Sequence, residues 1–425
     1  MIDIRQIRDN PDLFIEAAKN KRVEADIPRL MEIDAKLKDT KAALQDIATE
    51  KNRIGKSVPK LSGGEKDAAI GKLSDLKGKE EELDSEAKAL QPEFDALLLQ
   101  VPQPADEDVP LGKDDTENVE IRREGQIRQF DFEPKDHLEL GIALDMIDVE
   151  RGVKLAGTRN YFLKGDGALL HWAVLRLAVE YMVPRGYVPM SVPLLMRDEA
   201  MQGTGYYPGA EEQTYRMERD EMNLVGTAEV PLTAYRMGEI LQEDELPLKY
   251  VAQSSCFRRE AGAAGKDTYG LYRIHQFDKV EQVVVCRNDP EESNRFHAEI
   301  LANAEGVLQA LELPYRVVNV CTGDLGRGQA KKFDVETWMP SRNSYCETHS
   351  ASKFYEFQAR RMNLRYKQRE NKRNVFCHTL NNTVIASPRI LIPLLELHQN
   401  ADGSITIPQA LRPYMGGRER IEPRS

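Results

Sequence analysis

The sequence predicts an α+β protein with an N-terminal antiparallel coiled-coil arm and a larger domain whose mainly antiparallel β-sheet is flanked by helices. Residues 27–99 are rich in lysine, glutamate, leucine and alanine and carry apolar residues at three- and four-residue spacing. Beyond residue 117, helix-like and strand-like segments alternate. Residues 257–281 add two alternating stretches on either side of a glycine-containing loop, which indicates a strand, a flexible loop and a second strand.

The arm is predicted from two apolar seams that flank a helix-breaking segment. The break is GKSVPKLSGGEK, residues 55–66, with one proline and three glycines. We therefore expect two antiparallel helices, each on the order of 40 Å long at the standard rise per residue. Such an arm is either a lever that contacts a distant partner or a dimerisation coil or spacer. The first seam is Ile27, Leu30, Asp34, Leu37, Lys41, Leu44 and Ala48, and the second is Leu73, Leu76, Glu80, Leu83, Ala87, Leu90, Phe94 and Leu97.

Changes in composition along the chain also predict the domain boundaries. The stretch 101–117, VPQPADEDVPLGKDDTE, is rich in proline and acidic residues and has no hydrophobic period, which is typical of a linker. We expect an N-terminal domain over residues 1–105, a linker over 106–117 and one α+β domain over 118–425.

Within the α+β domain, the pattern predicts helices over 168–183, 231–241 and 291–311, and strands over 188–192, 250–256, 274–286 and 315–320. The chain contains neither a GxxxxGK[ST] loop nor a strand-GxGxxG-helix unit, which disfavours the nucleotide-binding folds that carry those signatures.

The overall composition is that of a globular protein of the cytoplasm. Of its 425 residues 41% are hydrophobic and 30% charged, its apolar runs are too short to span a bilayer, and the start MIDIRQIRDN lacks the apolar core of a signal peptide. The five cysteines form no CxxC pair, so we expect reduced, buried thiols, no disulfide framework and no structural zinc.

A net charge of −11 gives no general attraction to nucleic acid, so an RNA partner would need a local basic patch. Residues 358–373, QARRMNLRYKQRENKR, supply seven cations around Tyr366. We expect either an RNA contact or a strand and turn with a solvated basic rim.

The segment 257–281, FRREAGAAGKDTYGLYRIHQFDKVE, indicates a nucleotide site. Gly262, Gly265 and Gly270 supply the loop. A planar base can stack on an aromatic ring while neighbouring cations meet phosphates. The alternative is an exposed hairpin with a solvated charged face. On a strand, alternate residues share one face, and these are Arg273, His275, Phe277, Lys279 and Glu281.

The same segment closely resembles motif 2 of the class II aminoacyl-tRNA synthetases in the form found in bacterial-type seryl-tRNA synthetases, FRxEAG followed by HQFxKVE. Segment 170–193 resembles motif 1, which forms the dimer interface of that class. LVGTAEVP (224–231) and YCETHSAS (345–352) resemble the TxE and ETHS segments of the seryl family, and HTLNNTVIASPR (378–389) resembles motif 3. The N-terminus and the arm are also similar to that family.

The resemblance implies a serine–tRNA ligase that uses ATP and Mg²⁺. Arg258 and Arg389 are implied as catalytic residues, with Phe277 and Arg389 enclosing the adenine. Glu347 and Ser350 are implied as magnesium ligands. The full set implied for ATP is Arg258, Arg259, Glu260, Arg273, Ile274, Phe277, Glu347, Thr348, His349, Ser350 and Arg389.

For the amino acid, the resemblance implies that Glu281 binds the ammonium and hydroxyl groups of serine and that Thr383 completes the hydroxyl's shell. It further implies a homodimer that charges tRNA(Ser) through the arm, and it leaves open whether tRNA(Sec) is also charged. No membrane partner is expected. The set implied for serine is Thr227, Ala228, Glu229, Arg258, Glu281 and Thr383.

The chain departs from the family pattern at several positions. Asn382 and Ser387 stand where glycines are common in motif 3, Ala263 and Tyr269 replace frequent Ser and Arg in the motif 2 loop, and Lys353 replaces a common Asn. Three rival functions remain: a related ligase that loads a carrier protein, a catalytically silent RNA-binding relative, and a zinc-containing seryl enzyme of the methanogen type. The last is disfavoured because no suitable cysteine stands near Thr383.

Overall fold

The computed structural model describes residues 1–262 and 269–423. Contacts between residues divide the chain into two compact units. Ile2–Pro102 form one, called the arm unit below, and Gln103–Ser425 together with Met1 form the other, called the sheet unit.

The arm unit consists of two short helices followed by a long helical hairpin. Its helices are α1 (Ile4–Asp9), α2 (Pro11–Asn20), α3 (Ile27–Ser57) and α4 (Gly64–Gln100). Ion pairs show that α3 and α4 run antiparallel, since Arg29 near the start of α3 meets Glu93 near the end of α4 at 2.8 Å, and Lys51 meets Glu80 at 2.6 Å. The predicted coiled-coil arm is confirmed.

Two details of the arm differ from the expectation. The break is shorter than 55–66, because α3 continues to Ser57 and α4 begins at Gly64, after a 3₁₀ turn and Gly63 at φ 59°. Glycine tolerates this left-handed backbone, so Gly63 can complete the short connection just before α4 begins. In the first seam Lys41 is exposed and Thr40 is buried in its place, because a long charged side chain keeps its ammonium in water.

The sheet unit alternates helices and strands along its whole described length. Its helices are α5 (His137–Ala143), α6 (Val149–Ala156), α7 (Asp166–Met182), α8 (Asp198–Thr204), α9 (Glu229–Thr233), α10 (Pro290–Ala310), α11 (Phe357–Met362) and α12 (Leu391–His398). Its strands are β1 (Val119–Glu124), β2 (Ile147–Asp148), β3 (Phe162–Leu163), β4 (Val188–Met190), β5 (Leu195–Met196), β6 (Arg216–Met217), β7 (Met222–Leu224), β8 (Ile240–Gln242), β9 (Leu248–Phe257), β10 (Gln276–Cys286), β11 (Tyr315–Asn319), β12 (Lys331–Met339), β13 (Ser344–Tyr355), β14 (Arg365–Lys367), β15 (Asn374–Phe376), β16 (His378–Ser387), β17 (Ile405–Thr406) and β18 (Arg420–Ile421).

The central feature is an eight-stranded sheet in the order β1-β11-β12-β13-β16-β10-β9-β4. Neighbouring strands are antiparallel except β4 and β9, which are parallel. Helices α7 and α10 pack against β16 and β10, and they bury an apolar core that includes Val174, Ile300 and Val384. The mainly antiparallel sheet flanked by helices is therefore confirmed.

Two local expectations were wrong. The helix expected over 231–241 ends early, because Gly238 at φ 81° breaks it before the short strand β8. The strand expected from residue 274 begins at Gln276. Within the basic stretch 358–373, Tyr366 is only 2% exposed and packs in an apolar cluster with Leu241 and Leu364.

All five cysteines, each within the described part of the chain, are buried free thiols. Among residues 1–262 and 269–423, no helix combines the length and the apolar character that crossing a membrane requires.

Candidate active site

A cavity of about 260 Å³ lies over the neighbouring strands β9, β10, β16 and β13. Strands β9 and β10 are consecutive along the chain, but β13 and β16 come from later segments, and their adjacency in the sheet brings together the motif 2-like, ETHS-like and motif 3-like segments. Polar and charged side chains dominate the lining. The lining residues are Tyr206, Glu229, Arg258, Glu260, Leu271, Tyr272, Arg273, Ile274, Phe277, Lys279, Glu281, Gln329, Glu347, Thr348, Ser350, Ser352, Asn381, Thr383, Ala386 and Arg389.

Four residues implied by the family resemblance lie outside this lining. Thr227 is buried behind it, with Oγ1 3.5 Å from Glu281 Oε2. Ala228 belongs to an apolar cluster, and Arg259 is exposed. His349 is fully buried, with Nε2 3.0 Å from the carbonyl oxygen of Val384, and burial lowers its pKa to about 4. The remaining implied residues line the cavity.

Two clusters can be distinguished in the cavity. The first, called the carboxylate cluster, centres on Glu281 and Glu229. Glu281 is fully buried and forms an ion pair with Lys279. The two side chains lie on the same face of β10, because residues two positions apart along a strand share a face. Asn381 Nδ2 donates to Glu281 Oε1 at 3.0 Å. In the sheet Glu281 lies opposite Thr383, next to a β-bulge at Val280.

Glu229 begins α9 and is held by two neutral donors. Tyr206 Oη donates to Oε2 at 2.9 Å, and Gln358 Nε2 donates to Oε1 at 2.9 Å. Burial, reinforced by the negative charge of Glu281, raises the pKa of Glu229 to about 7. The backbone N–H of Glu229 donates to Thr227 Oγ1 at 3.1 Å. The segment therefore turns into helix α9 at this point.

The second group, called the arginine–aromatic cluster, comprises Arg258, Arg273, Phe277, Arg389 and Tyr272. Arg258 Cζ lies 5.2 Å from the centroid of Phe277, a distance at which a cation is attracted to the ring face. Arg389 Nη1 donates to the carbonyl oxygen of Glu347 at 3.0 Å.

Glu260 joins this second cluster through Arg273. Arg273 Nη1 donates to Glu260 Oε2 at 2.8 Å. Glu260 has φ 51°, a left-handed conformation that is uncommon for a residue other than glycine and is found preferentially at functional sites. The strand ends therefore present fixed guanidinium groups to the cavity.

Glu347 is the cavity carboxylate whose properties best suit a magnesium ligand. The surrounding protein atoms would raise its pKa, but Arg389, Lys332 and Arg258 outweigh that effect and hold the pKa below its usual value, while the residue itself remains exposed to solvent. A carboxylate and the hydroxyl of Ser350 are hard oxygen donors, and Mg²⁺ is commonly held by one or two carboxylates together with substrate phosphates. The donor set fits this ion. Within the described residues, no group of three or more His, Cys, Asp or Glu side chains is arranged to hold a metal ion.

Asp334 is a residue at this site that sequence reasoning missed. It lies opposite Ser350 in the β12–β13 pair and 3.3 Å from Lys332. Burial raises its pKa to about 7, although the neighbouring Lys332 opposes that shift. The available signal was the alternation of Lys332, Asp334 and Glu336 beside the ETHS-like strand. Tyr206 and Gln358 carried no comparable local signal.

The departures from the family pattern have structural partners. Asn382 donates to the carbonyl oxygen of Ile300 at 2.7 Å, and Ser387 Oγ lies 2.8 Å from His171 Nδ1. Lys353 is 1% exposed and pairs with Asp106 at 2.6 Å. Tyr269 Oη donates to Asp136 at 2.7 Å. Ala263 and Gly265 lie outside the described residues.

The fold and the cavity define a class II aminoacyl-tRNA synthetase. Residues 213–398 match the family model "tRNA synthetase class II core domain (G, H, P, S and T)". Residues 1–104 match the "Seryl-tRNA synthetase N-terminal domain".

Comparisons with relatives and with solved structures narrow the assignment from this class of enzyme to one family. The chain is 47% identical to the serine–tRNA ligase of Deinococcus radiodurans, over 99% of this chain and 98% of that one. It is 42% identical to that of Thermobifida fusca, over 98% of each. A seryl-tRNA synthetase from Pyrococcus horikoshii complexed with ATP superposes with a TM-score of 0.94 at 34% identity, covering 100% of both chains. A cytoplasmic serine–tRNA ligase from Naegleria fowleri in complex with AMP gives 0.89 at 30%, over 100% of this chain and 99% of that one. The chain belongs to the seryl-tRNA synthetase family.

Proposed function

We propose that this chain is a serine–tRNA ligase that activates L-serine with ATP and transfers the seryl group to the 3′ end of tRNA(Ser). The observation that carries the proposal is one cavity that contains both a buried carboxylate cluster and an arginine–aromatic cluster. The first suits the ammonium and hydroxyl groups of a small amino acid. The second suits a purine base and phosphates.

In the first step the carboxylate of serine attacks the α-phosphorus of ATP, and pyrophosphate leaves. The nucleophile is already anionic, so no general base is needed. The barrier is charge repulsion and alignment, which fixed cations lower. Arg258 bridges the serine carboxylate and the α-phosphate. Arg273 meets the distal phosphates, with Arg259 contributing a further positive charge nearby.

The adenine is enclosed by Phe277 on one side and the guanidinium of Arg389 on the other. Glu260 and the backbone of Ile274 contact the edge of the base. Thr348 and His349, buried in β13, support the strand that presents Glu347 and Ser350. These last two would hold Mg²⁺, which would neutralise charge on the phosphates. Arg258 and Arg389 are thus the catalytic residues of the proposal.

Serine is selected by the carboxylate cluster. Glu281 accepts hydrogen bonds from the ammonium and hydroxyl groups, Thr383 completes the hydroxyl's shell, and Glu229 with Thr227 and Ala228 forms the remaining wall. Alanine leaves the buried carboxylate short of a donor, a penalty that supports discrimination on the order of 10⁴. Threonine is refused by lack of space.

In the second step a terminal ribose hydroxyl of tRNA attacks the seryl carbonyl, and AMP leaves. We infer that the arm over residues 27–99 binds the long variable arm of tRNA(Ser), within an N-terminal domain of residues 1–105 that a linker (106–117) joins to the catalytic domain (118–425). The length of the hairpin supports this role, because α3 and α4 span about 45 and 55 Å at the standard rise per residue.

We further infer a homodimer that works in the cytoplasm, where ATP, serine and tRNA are supplied. The motif 1-like segment supports the dimer. Its helix α7 exposes Trp172 (60%) and Leu169 (39%), and the following strand exposes Val188 (54%). Large apolar side chains grouped on one exposed segment are typical of an interface.

The activation step is tested by ATP–pyrophosphate exchange with each of the twenty amino acids. Serine alone should support exchange, and alanine, threonine and cysteine are the closest controls. Exchange supported by another amino acid instead of serine would overturn the proposed substrate.

The role of the arm is tested by deleting residues 27–99 and joining the ends with a short glycine linker. Serine-dependent exchange should persist, because the cavity residues all lie beyond residue 205. Charging of tRNA(Ser) should be lost, and tRNA(Sec) is assayed in parallel. An arm-deleted protein that charges tRNA(Ser) normally would refute the lever role and favour a spacer.

A further inference from the structure

Tyr272, at the edge of the cavity, has two arginine side chains against its ring. The Cζ atoms of Arg342 and Arg389 are each 4.4 Å from the centroid of its ring. Both distances are well within the range at which a guanidinium is attracted to an aromatic face. Tyr272 and Arg389 line the cavity, whereas Arg342 does not.

The same tyrosine also fixes Arg389 through its backbone. Arg389 Nε donates to the carbonyl oxygen of Tyr272 at 3.2 Å, and Nη1 donates to that of Glu347 at 3.0 Å. A ring contact and two hydrogen bonds in different directions define the plane of the guanidinium. Tyr272 supplies two of these three contacts.

A buried carboxylate holds the two segments that carry Tyr272 and Arg342. Glu396 of α12 is fully buried. It accepts hydrogen bonds from the backbone N–H of Ser341 at 2.9 Å and from Ser341 Oγ at 2.7 Å. Ser341 directly precedes Arg342, so this carboxylate anchors the turn that presents the outer arginine.

The second segment is anchored to Glu396 through one imidazole. His137 Nδ1 lies 2.8 Å from Glu396 Oε1, and the backbone N–H of Leu271 donates to His137 Nε2 at 3.3 Å. Since Nε2 accepts, Nδ1 carries the proton and donates to the carboxylate. Gly270 permits this approach, because a Cβ there would lie 2.1 Å from His137 Nε2. Leu271 directly precedes Tyr272.

We propose that Tyr272 and Arg342, anchored by the Glu396–His137 pair, are positioning residues that set the guanidinium plane of Arg389 before a purine nucleoside triphosphate binds. The inference rests on the proposed function, in which Arg389 covers the adenine. A side chain already held in its binding geometry loses less conformational entropy when the ligand arrives, so the effect falls on nucleotide affinity.

The experiment measures serine-dependent ATP–pyrophosphate exchange with separate KM values for ATP and serine. Tyr272→Leu should raise the KM for ATP about tenfold, the equivalent of losing two cation–π contacts, and should change kcat and the KM for serine less than about twofold. Tyr272→Phe should retain the wild-type KM, because the ring and the backbone carbonyl remain.

A second tyrosine with two arginines against its ring lies outside the cavity and provides a matched control. Arg123 and Arg316 each lie 5.4 Å from the ring centroid of Tyr345. Arg342→Met should raise the KM for ATP about threefold, the loss of one cation–π contact. Arg123→Met should leave it unchanged. Ser341→Ala, which removes only the hydroxyl bond to Glu396, should raise it about twofold.

Absence of exchange in the wild-type protein would refute the proposed function itself. With wild-type exchange present, three results would overturn the positioning role: an unchanged KM for ATP in Tyr272→Leu, an equal rise for ATP and serine in that variant, or the same defect in Tyr272→Phe as in Tyr272→Leu. Thermal unfolding of each variant separates loss of affinity from loss of fold.

Discussion

The carboxylate cluster and the arginine–aromatic cluster share one cavity but are built differently. Glu281 and Thr383 lie within strands of the sheet, and Glu281 and Glu229 are 0% and 7% exposed. Arg258, Tyr272, Arg273 and Arg389 instead follow or precede strands and are half-buried. Rigid, buried acids suit recognition of a small substrate, whereas guanidiniums at strand ends suit a larger ligand that enters from solvent.

Glu281→Gln should have the largest effect and would break the carboxylate cluster. It preserves volume but removes the charge that meets the ammonium of serine, so serine-dependent exchange should fall by at least about 10³. The measurement is kcat/KM for serine. Because the change also leaves Lys279 buried without its ionic partner, unfolding should require less denaturant.

The double variant Lys279→Met, Glu281→Gln is the control for this loss of stability. It should unfold closer to wild type, since both buried charges are gone, while remaining inactive with serine. Recovery of exchange in the double variant would show that stability, not recognition, explains the single one.

Arg258→Lys should have the next largest effect and tests the arginine–aromatic cluster. Lysine keeps the charge but lacks the planar fork and stacks less well on Phe277. We expect kcat/KM for ATP in the exchange reaction to fall about 10². Arg259→Lys, at the exposed neighbouring position, should cost less than about tenfold; equal losses at both positions would contradict the distinction between a lining and a non-lining arginine.

The pH dependence of serine binding should distinguish the two clusters through a smaller change in KM than the substitutions above. Burial raises the pKa of Glu229 to about 7, so the group is protonated below that pH and ionised above it. Ionised Glu229, in the wall beside Glu281, adds negative charge near the ammonium that Glu281 binds. The KM for serine should therefore fall about tenfold between pH 6 and pH 8, and that for ATP should not follow the same curve. A flat profile for serine would contradict this assignment, and Glu229→Gln should flatten it.

Tyr206→Phe should have the smallest effect and sharpens the pH prediction. The hydroxyl donates to Glu229 at 2.9 Å and stabilises the ionised form. Its removal should move the inflection of the serine KM profile to higher pH by less than about one unit. The same profile measured for Tyr207→Phe is the matched comparison, because Tyr207 donates to Asn223 at 2.8 Å and does not line the cavity. A downward shift in Tyr206→Phe would be inconsistent with the hydroxyl acting as a donor.

Local patterns predicted four of the eight strands of the central sheet, β4, β9, β10 and β11, and resemblance to the seryl family supplied many of the residues that line the cavity. Period-two alternation in residues 273–281 and the three-four spacing of residues 73–97 each depend on neighbours along the chain. The same applies to the chain reversal between α3 and α4. The helix expected over 231–241 failed because Gly238 and the pairing of β8 with β14 overrode its apolar pattern.

The partners of the cavity residues could not be predicted in the same way. Gln358 reaches Glu229 from 129 positions away, and Glu396 is linked to Leu271 only through His137. The basic stretch 358–373 shows the same limit: Arg360 pairs with Glu356 at 2.7 Å and Tyr366 is buried. Such roles depend on which strands become neighbours, and a single sequence contains no local signal for that.

The central claim is that the two clusters bind separate parts of the substrates. It is tested most directly by isothermal titration of ATP into the Glu281→Gln protein, with Arg389→Met as the comparison. We predict a Kd for ATP within about twofold of wild type in Glu281→Gln and about tenfold or more weaker in Arg389→Met. Equal weakening of ATP binding in both variants would contradict the account.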